Sequence, residues 1–250
     1  MHGFLFLITF FKFPILEVRL IVEQFVSGLQ ATTAIEYIAV LAGIASVWYS
    51  RKENILVYPV GLINTVIYVF LSFQYHLLGE ASVNFYYTVM SVYGWYLWTK
   101  KDARHHKVLR IQFSTAREWL WHLFFFVGFY VVIFFSLQYL KKSFASGAIP
   151  WADALASAAA FTGMWLMAKK KVESWLWWLL TNICSIPLYF VKGLVFTSVY
   201  YLVLLVLAVY GLLEWRQRAL IKDKTDGFAD CFFPMRYSCL SPDPFAGTFQ

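Results

Sequence analysis

The chain repeats itself at an offset of about 117 residues. Glu36 aligns with Asp153, Trp48 with Trp165, Tyr93-Gly94 with Tyr210-Gly211, and Trp98 with Trp215. Asn64 aligns with Asn182 one residue further on, which implies small compensating insertions inside the repeat. Each copy is a set of apolar segments long enough to cross a membrane. A hydrophobic block present twice is the mark of transporter architectures, in which the substrate site forms between two halves near the bilayer midplane. With 60% hydrophobic and 14% charged residues and a mean hydropathy of +0.61, the chain does not read as a soluble domain.

A bilayer core needs roughly 20 apolar residues per helix. Seven segments qualify: 34–50, 54–74, 80–99, 118–140, 151–168, 172–191 and 194–214. Their continuous hydropathy predicts helices; barrel strands would alternate over about ten residues. The expected fold is an all-α membrane protein of seven transmembrane helices. Two parallel three-helix repeats, 34–99 and 151–215, flank a linker transmembrane helix at 118–140, a 3+1+3 order. Two copies with the same orientation need one odd helix to return the chain across the membrane. Upstream, residues 1–30 carry Ile15, Val18, Val22, Phe25, Val26 and Leu29 at helical spacing, which predicts an amphipathic interfacial helix. Residues 222–250, rich in Asp, Pro, Gly and Ser, read as a disordered cytoplasmic tail.

The net charge of +7 could suggest a nucleic-acid surface, but its distribution argues for topology. Of the 21 Lys and Arg, only Lys12, Arg19, Lys141, Lys142 and Lys192 fall on one side of the expected membrane. The other side collects Arg51, Lys52, Lys100, Lys101, Lys169, Lys170, Lys171, Arg216, Arg218 and the rest. Cytoplasmic loops carry such an excess, so the C-terminus is expected inside and the N-terminus outside a cell (inner) membrane crossed several times. Partners are then the lipid bilayer and a small molecule, with no nucleic acid. The three cysteines and five histidines have no metal-like spacing, and no cofactor or metal is expected. Paired acids, a Ser/His dyad or a His cluster at depth are also missing from the sequence, so no catalytic residue and no enzyme is predicted.

Chemistry concentrates in the sixth expected span. Trp175, Trp178 and Asn182 lie three and four residues apart, on one helical face. Two indoles and an amide one turn deeper suit a flat heteroaromatic ligand, which needs a π surface and a hydrogen-bonding edge. A cationic ring would gain cation–π attraction as well. The competing reading is an aromatic belt at the membrane interface, marked here by Lys169–Lys171. Asn64 is the counterpart of Asn182 in the first repeat, with Tyr68 one turn beyond it; helix packing competes with ligand contact for both amides. Asn84, with Thr88 and Ser91, forms a polar stripe whose counterparts are Tyr201, Leu205 and Ala208. The halves are therefore lined differently, as an asymmetric ligand requires. No ionisable residue lies near the middle of a repeat helix, which predicts uncoupled passage of a neutral or cationic molecule and rejection of phosphates.

At these residues the sequence resembles the PnuC family of nicotinamide riboside transporters. The resemblance covers about residues 34–220. It rests on Gly-Leu-Ile-Asn at 61–64, Tyr-Gly-Trp-Tyr-Leu-Trp at 93–98 and Lys-Val-Glu-Ser-Trp-Leu-Trp-Trp-Leu-Leu-Thr-Asn at 171–182. It implies the parallel-repeat fold of SWEET carriers and a homotrimer. It also implies vitamin uptake for NAD biosynthesis: facilitated diffusion of nicotinamide riboside, trapped by a separate cytoplasmic kinase. It carries ligand contact over to Trp175, Trp178, Asn182 and Asn64. The alternative is another aromatic vitamin such as thiamine.

Overall fold

The computed structural model describes residues 19–74, 78–101, 109–140 and 149–232. They form eight α-helices: α1 (Arg19–Ala31), α2 (Ala34–Arg51), α3 (Val57–Gln74), α4 (Leu78–Thr99), α5 (Ala116–Leu140), α6 (Pro150–Ala168), α7 (Ser174–Val191) and α8 (Val195–Phe232). Among the described residues there is no strand, only an isolated bridge between Gln112 and Lys171.

Local signals start the helices. Thr33 caps α2 in a reciprocal box: Glu36 Oε2 accepts the Thr33 amide at 2.7 Å while Thr33 Oγ1 accepts the Glu36 amide. Thr115 and Glu118 repeat the exchange at the start of α5. Pro150 opens α6, where the Asp153 carboxylate accepts the Ile149 amide at 2.6 Å. Helix α1 meets α2 at 107° and packs through Phe25 against Phe196 of α8, with ring centroids 5.9 Å apart.

Six helices close a ring in the order α2, α3, α4, α6, α7, α8 and back to α2. Helix α5 lies outside it, against α6, with Phe125 stacked on Trp165 at 4.6 Å. Its outward Leu120, Phe124, Val127, Val131 and Phe135 stay exposed, as lipid-facing side chains would.

The 117-residue offset governs the contacts that close the ring. Tyr58 packs against Gly94, and 117 residues on Trp175 packs against Gly211; a Cβ on either glycine would lie 2.5 Å from the ring. Trp98 on α4 donates its indole N–H to Ala168 O at the end of α6. Its counterpart Trp215 on α8 donates to Arg51 O at the end of α2. Residues that are themselves counterparts touch: Ser50 with Met167, and Glu53 with Lys170. Exchanged contacts and self-paired positions are what an approximate two-fold between α2–α4 and α6–α8 produces. Glu53 (φ +57°) and Lys170 (φ +54°) both adopt the left-handed conformation, uncommon for residues with a side chain, and are held there by their ion pair.

Three expectations change. The sequence predicts seven spans, whereas four helices are long and apolar enough to cross a membrane: α3, α5, α7 and α8. The bent α1–α2 pair makes a fifth. Helices α4 and α6 fall short for a physical reason. The interior-facing stripe of α4 is polar, and α6 buries a run of alanines against other helices, so neither needs the hydropathy of a lipid-facing segment. Second, α8 continues to Phe232 instead of losing order from residue 222, because extending a helix costs far less than nucleating one; residues 233–250 of the expected tail lie outside the described residues. So do 1–18 of the expected N-terminal helix. Third, Asn64 is not the counterpart of Asn182. Asn64 donates to Ala39 O and Thr181 donates to Ala156 O, both across 25 residues, so the offset stays at 117 and the register needs no insertion.

Candidate functional site

The face shared by Trp175, Trp178 and Asn182 is divided between two environments. Trp175 is 1% exposed and belongs to an aromatic core with Tyr58, Trp98 and Trp215, the last edge-on at 5.6 Å. Its indole N–H has no hydrogen-bond partner. Asn182 lies seven residues further along α7, about 10 Å at 1.5 Å per residue. Trp178, between them, is half-buried, 3.3 Å from the place a Cβ on Gly163 would take and 6.2 Å from the Tyr87 ring. Asn182 is 3% exposed, and its amide makes no hydrogen bond among the described residues. An amide at that depth without a protein partner is costly unless a ligand or water completes it.

The remaining expected residues come from three other helices. Asn64 is oriented by its 2.7 Å bond to Ala39 O. Tyr68 lies one turn beyond Asn64 on α3 and is half-buried. The Asn84 carbonyl accepts the Thr88 hydroxyl, which also meets Thr65, the true counterpart of Asn182. Tyr201 stacks on Tyr189 at 5.1 Å. The structure thus seals Trp175 in the aromatic core and leaves Trp178 and Asn182 further along α7, while Asn64 and Tyr68 lie on α3, Asn84 on α4 and Tyr201 on α8.

Sequence reasoning missed Tyr86, Tyr87, Phe161 and Tyr200. Tyr86 stacks on Phe161 at 4.1 Å, Tyr87 on α4 meets Phe161 edge-on at 6.0 Å, and Tyr200 meets Tyr201 on α8 at 5.7 Å. Tyr87 and Tyr200 are only half-buried, so each keeps part of its surface clear of protein. With 25 Phe, 16 Tyr and 11 Trp, no single aromatic stands out in the sequence. The available signal was the Tyr-Tyr pair at 86–87 and again at 200–201.

The two walls differ at matched positions. Gly61 on α3 packs on Ser46; 117 residues on, Trp178 on α7 packs on Gly163. One half leaves room where the other inserts an indole. Among the described residues, Lys170 with Glu53, Lys171 with Glu118 and Lys192 with Asp153 pair at helix ends, and Arg51 at the end of α2 pairs with Glu214 of α8. What remains inside is π surface, hydroxyls and one unpaired amide, a lining able to hold a flat, uncharged or cationic ring.

An all-helical bundle built for the bilayer around such a lining defines a class, the multi-pass membrane transporters of small molecules. The chain belongs to the nicotinamide mononucleotide transporter family, whose profile matches residues 33–217. It is similar to the nicotinamide riboside transporter PnuC of Escherichia coli strain K12, 24% identical over 201 residues, covering 72% of this chain and 84% of that protein. The riboflavin/roseoflavin transporter RibM of Streptomyces davaonensis is 25% identical over 181 residues, covering 72% of this chain and 83% of that one. The crystal structure of the vitamin B3 transporter PnuC superposes with a TM-score of 0.60 at 23% identity, over 81% of this chain and 89% of that chain, and shows that the fold is shared.

Proposed function

We propose that this protein takes up nicotinamide riboside by uncoupled facilitated diffusion, with trapping by a separate cytoplasmic kinase. The observation that carries the reading is Asn182: a buried amide without a protein partner, one turn from Trp178, in a lining without an ionised group. A pyridinium ring fits between indole and tyrosine faces, where cation–π attraction favours its charge. An amide beside it can complete the edge of the ring's carboxamide. Phosphate finds no compensating cation in this lining, so the 5′-phosphate is excluded and the riboside is preferred over the mononucleotide. That no Asp, Glu, Lys, Arg or His lies at mid-helix depth in α2–α4 or α6–α7 among the described residues supports passive rather than proton-coupled movement.

In this reading α2–α8 are seven spans in a 3+1+3 order, with α4 and α6 crossing inside the bundle. The basic ends near Arg51, Lys101 and Lys170 face the cytoplasm, α1 lies in the outer interface, and the chain assembles as a homotrimer. These rest on the charge asymmetry, the two-fold contacts and the family resemblance.

The test is calorimetric titration of the detergent-purified protein with nicotinamide riboside, its 5′-phosphate, thiamine and riboflavin. Binding of the riboside alone is expected. Riboflavin is included because a relative of equal similarity is a riboflavin/roseoflavin transporter; its binding alone would keep the aromatic site and replace the substrate. Asn182→Leu is expected to weaken riboside binding by one to two orders of magnitude, from the roughly 1–3 kcal/mol attached to a lost buried hydrogen bond. Its elution on size exclusion should be unchanged. Unchanged affinity would remove Asn182 from the site.

A further inference from the structure

Gly43 on α2 marks a corner where three helices converge. A Cβ there would overlap the Tyr200 hydroxyl from α8 and lie 2.9 Å from Asn64 Nδ2 from α3. Glycine is what admits both polar groups to the same point on the α2 backbone. Asn64 is locked by donating to Ala39 O, and its own carbonyl oxygen accepts no hydrogen bond among the described residues. The Tyr200 hydroxyl makes none either, and Tyr200 is half-buried. A hydroxyl without a protein partner is thus held beside an amide whose oxygen is unused.

The counterpart corner is different. There Gly43 becomes Ala160, the position of Tyr200 is Val83, and that of Asn64 is Thr181, whose hydroxyl already bonds Trp177 O at 3.0 Å. The interior therefore has one wall of rings, around Trp178 and Tyr87, and one open polar corner.

We propose that Tyr200, seated against Gly43 beside Asn64, determines specificity by reading the hydroxyl-bearing part of the ligand, while the ring lies against the Trp178 side. A phenol hydroxyl that can donate and accept, next to a fixed amide whose oxygen accepts no hydrogen bond among the described residues, matches the vicinal hydroxyls of a sugar. The inference rests on the function proposed above and refines it: the site takes a heteroaromatic base joined to a polyhydroxy group, and a base without that group loses the corner.

The experiment compares nicotinamide riboside with 1-methylnicotinamide, which keeps the charged ring and lacks the sugar, by calorimetry on wild type, Tyr200→Phe and Gly43→Ala. Tyr200→Phe retains the ring and is expected to weaken the riboside about three- to tenfold, the usual effect of one hydrogen bond, while leaving 1-methylnicotinamide unchanged. Gly43→Ala displaces the hydroxyl and is expected to give the same selective loss; joined to Tyr200→Phe it should add little. Equal affinity of Tyr200→Phe and wild type for the riboside, or equal loss for both ligands, overturns the corner alone. A folded wild type that binds neither ligand overturns the function reading, and the corner with it.

Discussion

Trp175→Ala is expected to destabilise the fold by about 3–5 kcal/mol, whereas Trp178→Ala, three residues further along the same face, is expected to spare the fold and weaken the ligand. Both indoles lie on one face of α7 and both belong to the same motif, yet only one is closed off. Trp175 fills the space that Gly211 leaves on α8 and touches Trp215 edge-on. Removing it leaves a cavity bordered by rigid rings, which collapse poorly. Trp178 keeps part of its surface, so its loss mainly removes a stacking partner. Trp175→Phe provides the control: it loses volume but also removes an indole N–H that has no acceptor, so the two effects offset in part. Thermal unfolding in detergent and riboside titration on the three variants separate the roles. A Trp175→Ala protein that melts like wild type but no longer binds would move Trp175 into the site.

Glu53→Ala is expected to cost about 3–5 kcal/mol, the typical effect of leaving one partner of a buried ion pair alone. Lys170 is 1% exposed, with its ammonium 2.6 Å from Glu53 Oε1, 3.1 Å from Leu109 O and 4.5 Å from the centre of the Trp98 ring. Without Glu53 that cation keeps its desolvation and loses its counter-charge. Lys170→Met should cost distinctly less, because it removes the buried charge and leaves an apolar chain on Trp98, while Glu53 still has Arg218 3.6 Å away. The exchange Glu53→Lys with Lys170→Glu tests the two-fold directly. The two positions are counterparts with nearly the same left-handed backbone, so the pair can re-form. Recovery should be incomplete, since a new Lys at 53 would meet Arg218 and a new Glu at 170 would meet the Leu109 carbonyl. The measurement is again the unfolding midpoint; a double exchange no more stable than Glu53→Ala would remove the two-fold from this end of the molecule.

The surrounding contacts explain why this end is closed. Gln112 N donates to Lys170 O, Val172 N donates to Gln112 O, and Ser114 donates to Glu173 through both amide and hydroxyl. The segment before α5 is thereby strapped across the α6–α7 turn, over the pair of indoles that tie α4 to α6 and α8 to α2.

Much of this was legible in the residues because it is local or periodic. Hydropathy marked α2 to α7 and the start of α8 within a few residues of their observed bounds, though not the end of α8, and the repeated Trp98 and Trp215 marked the two halves as copies. The face of α7 was also read correctly as a face. Its division was not legible: 3.6-residue periodicity says that Trp175, Trp178 and Asn182 point the same way, but Gly211, on another helix, decides that the first is sealed. The partner of Asn64 was misjudged for a related reason. Amide matched to amide is chemical resemblance, whereas the shared bond to a carbonyl 25 residues back is position in the fold.

The sequence alone determined that this chain is helical, membrane-bound and built from two related halves, since these follow from composition, period and duplication, properties of the chain at short range or under a constant shift. Only the tertiary structure decided which aromatics are sealed in the core, that Tyr87 lies against Phe161 and Trp178, and that Gly43 admits the Tyr200 hydroxyl beside the Asn64 amide. Each of those outcomes depends on what a side chain meets on a helix distant in sequence, where burial and hydrogen-bond satisfaction are settled by pairing rather than by the residue itself.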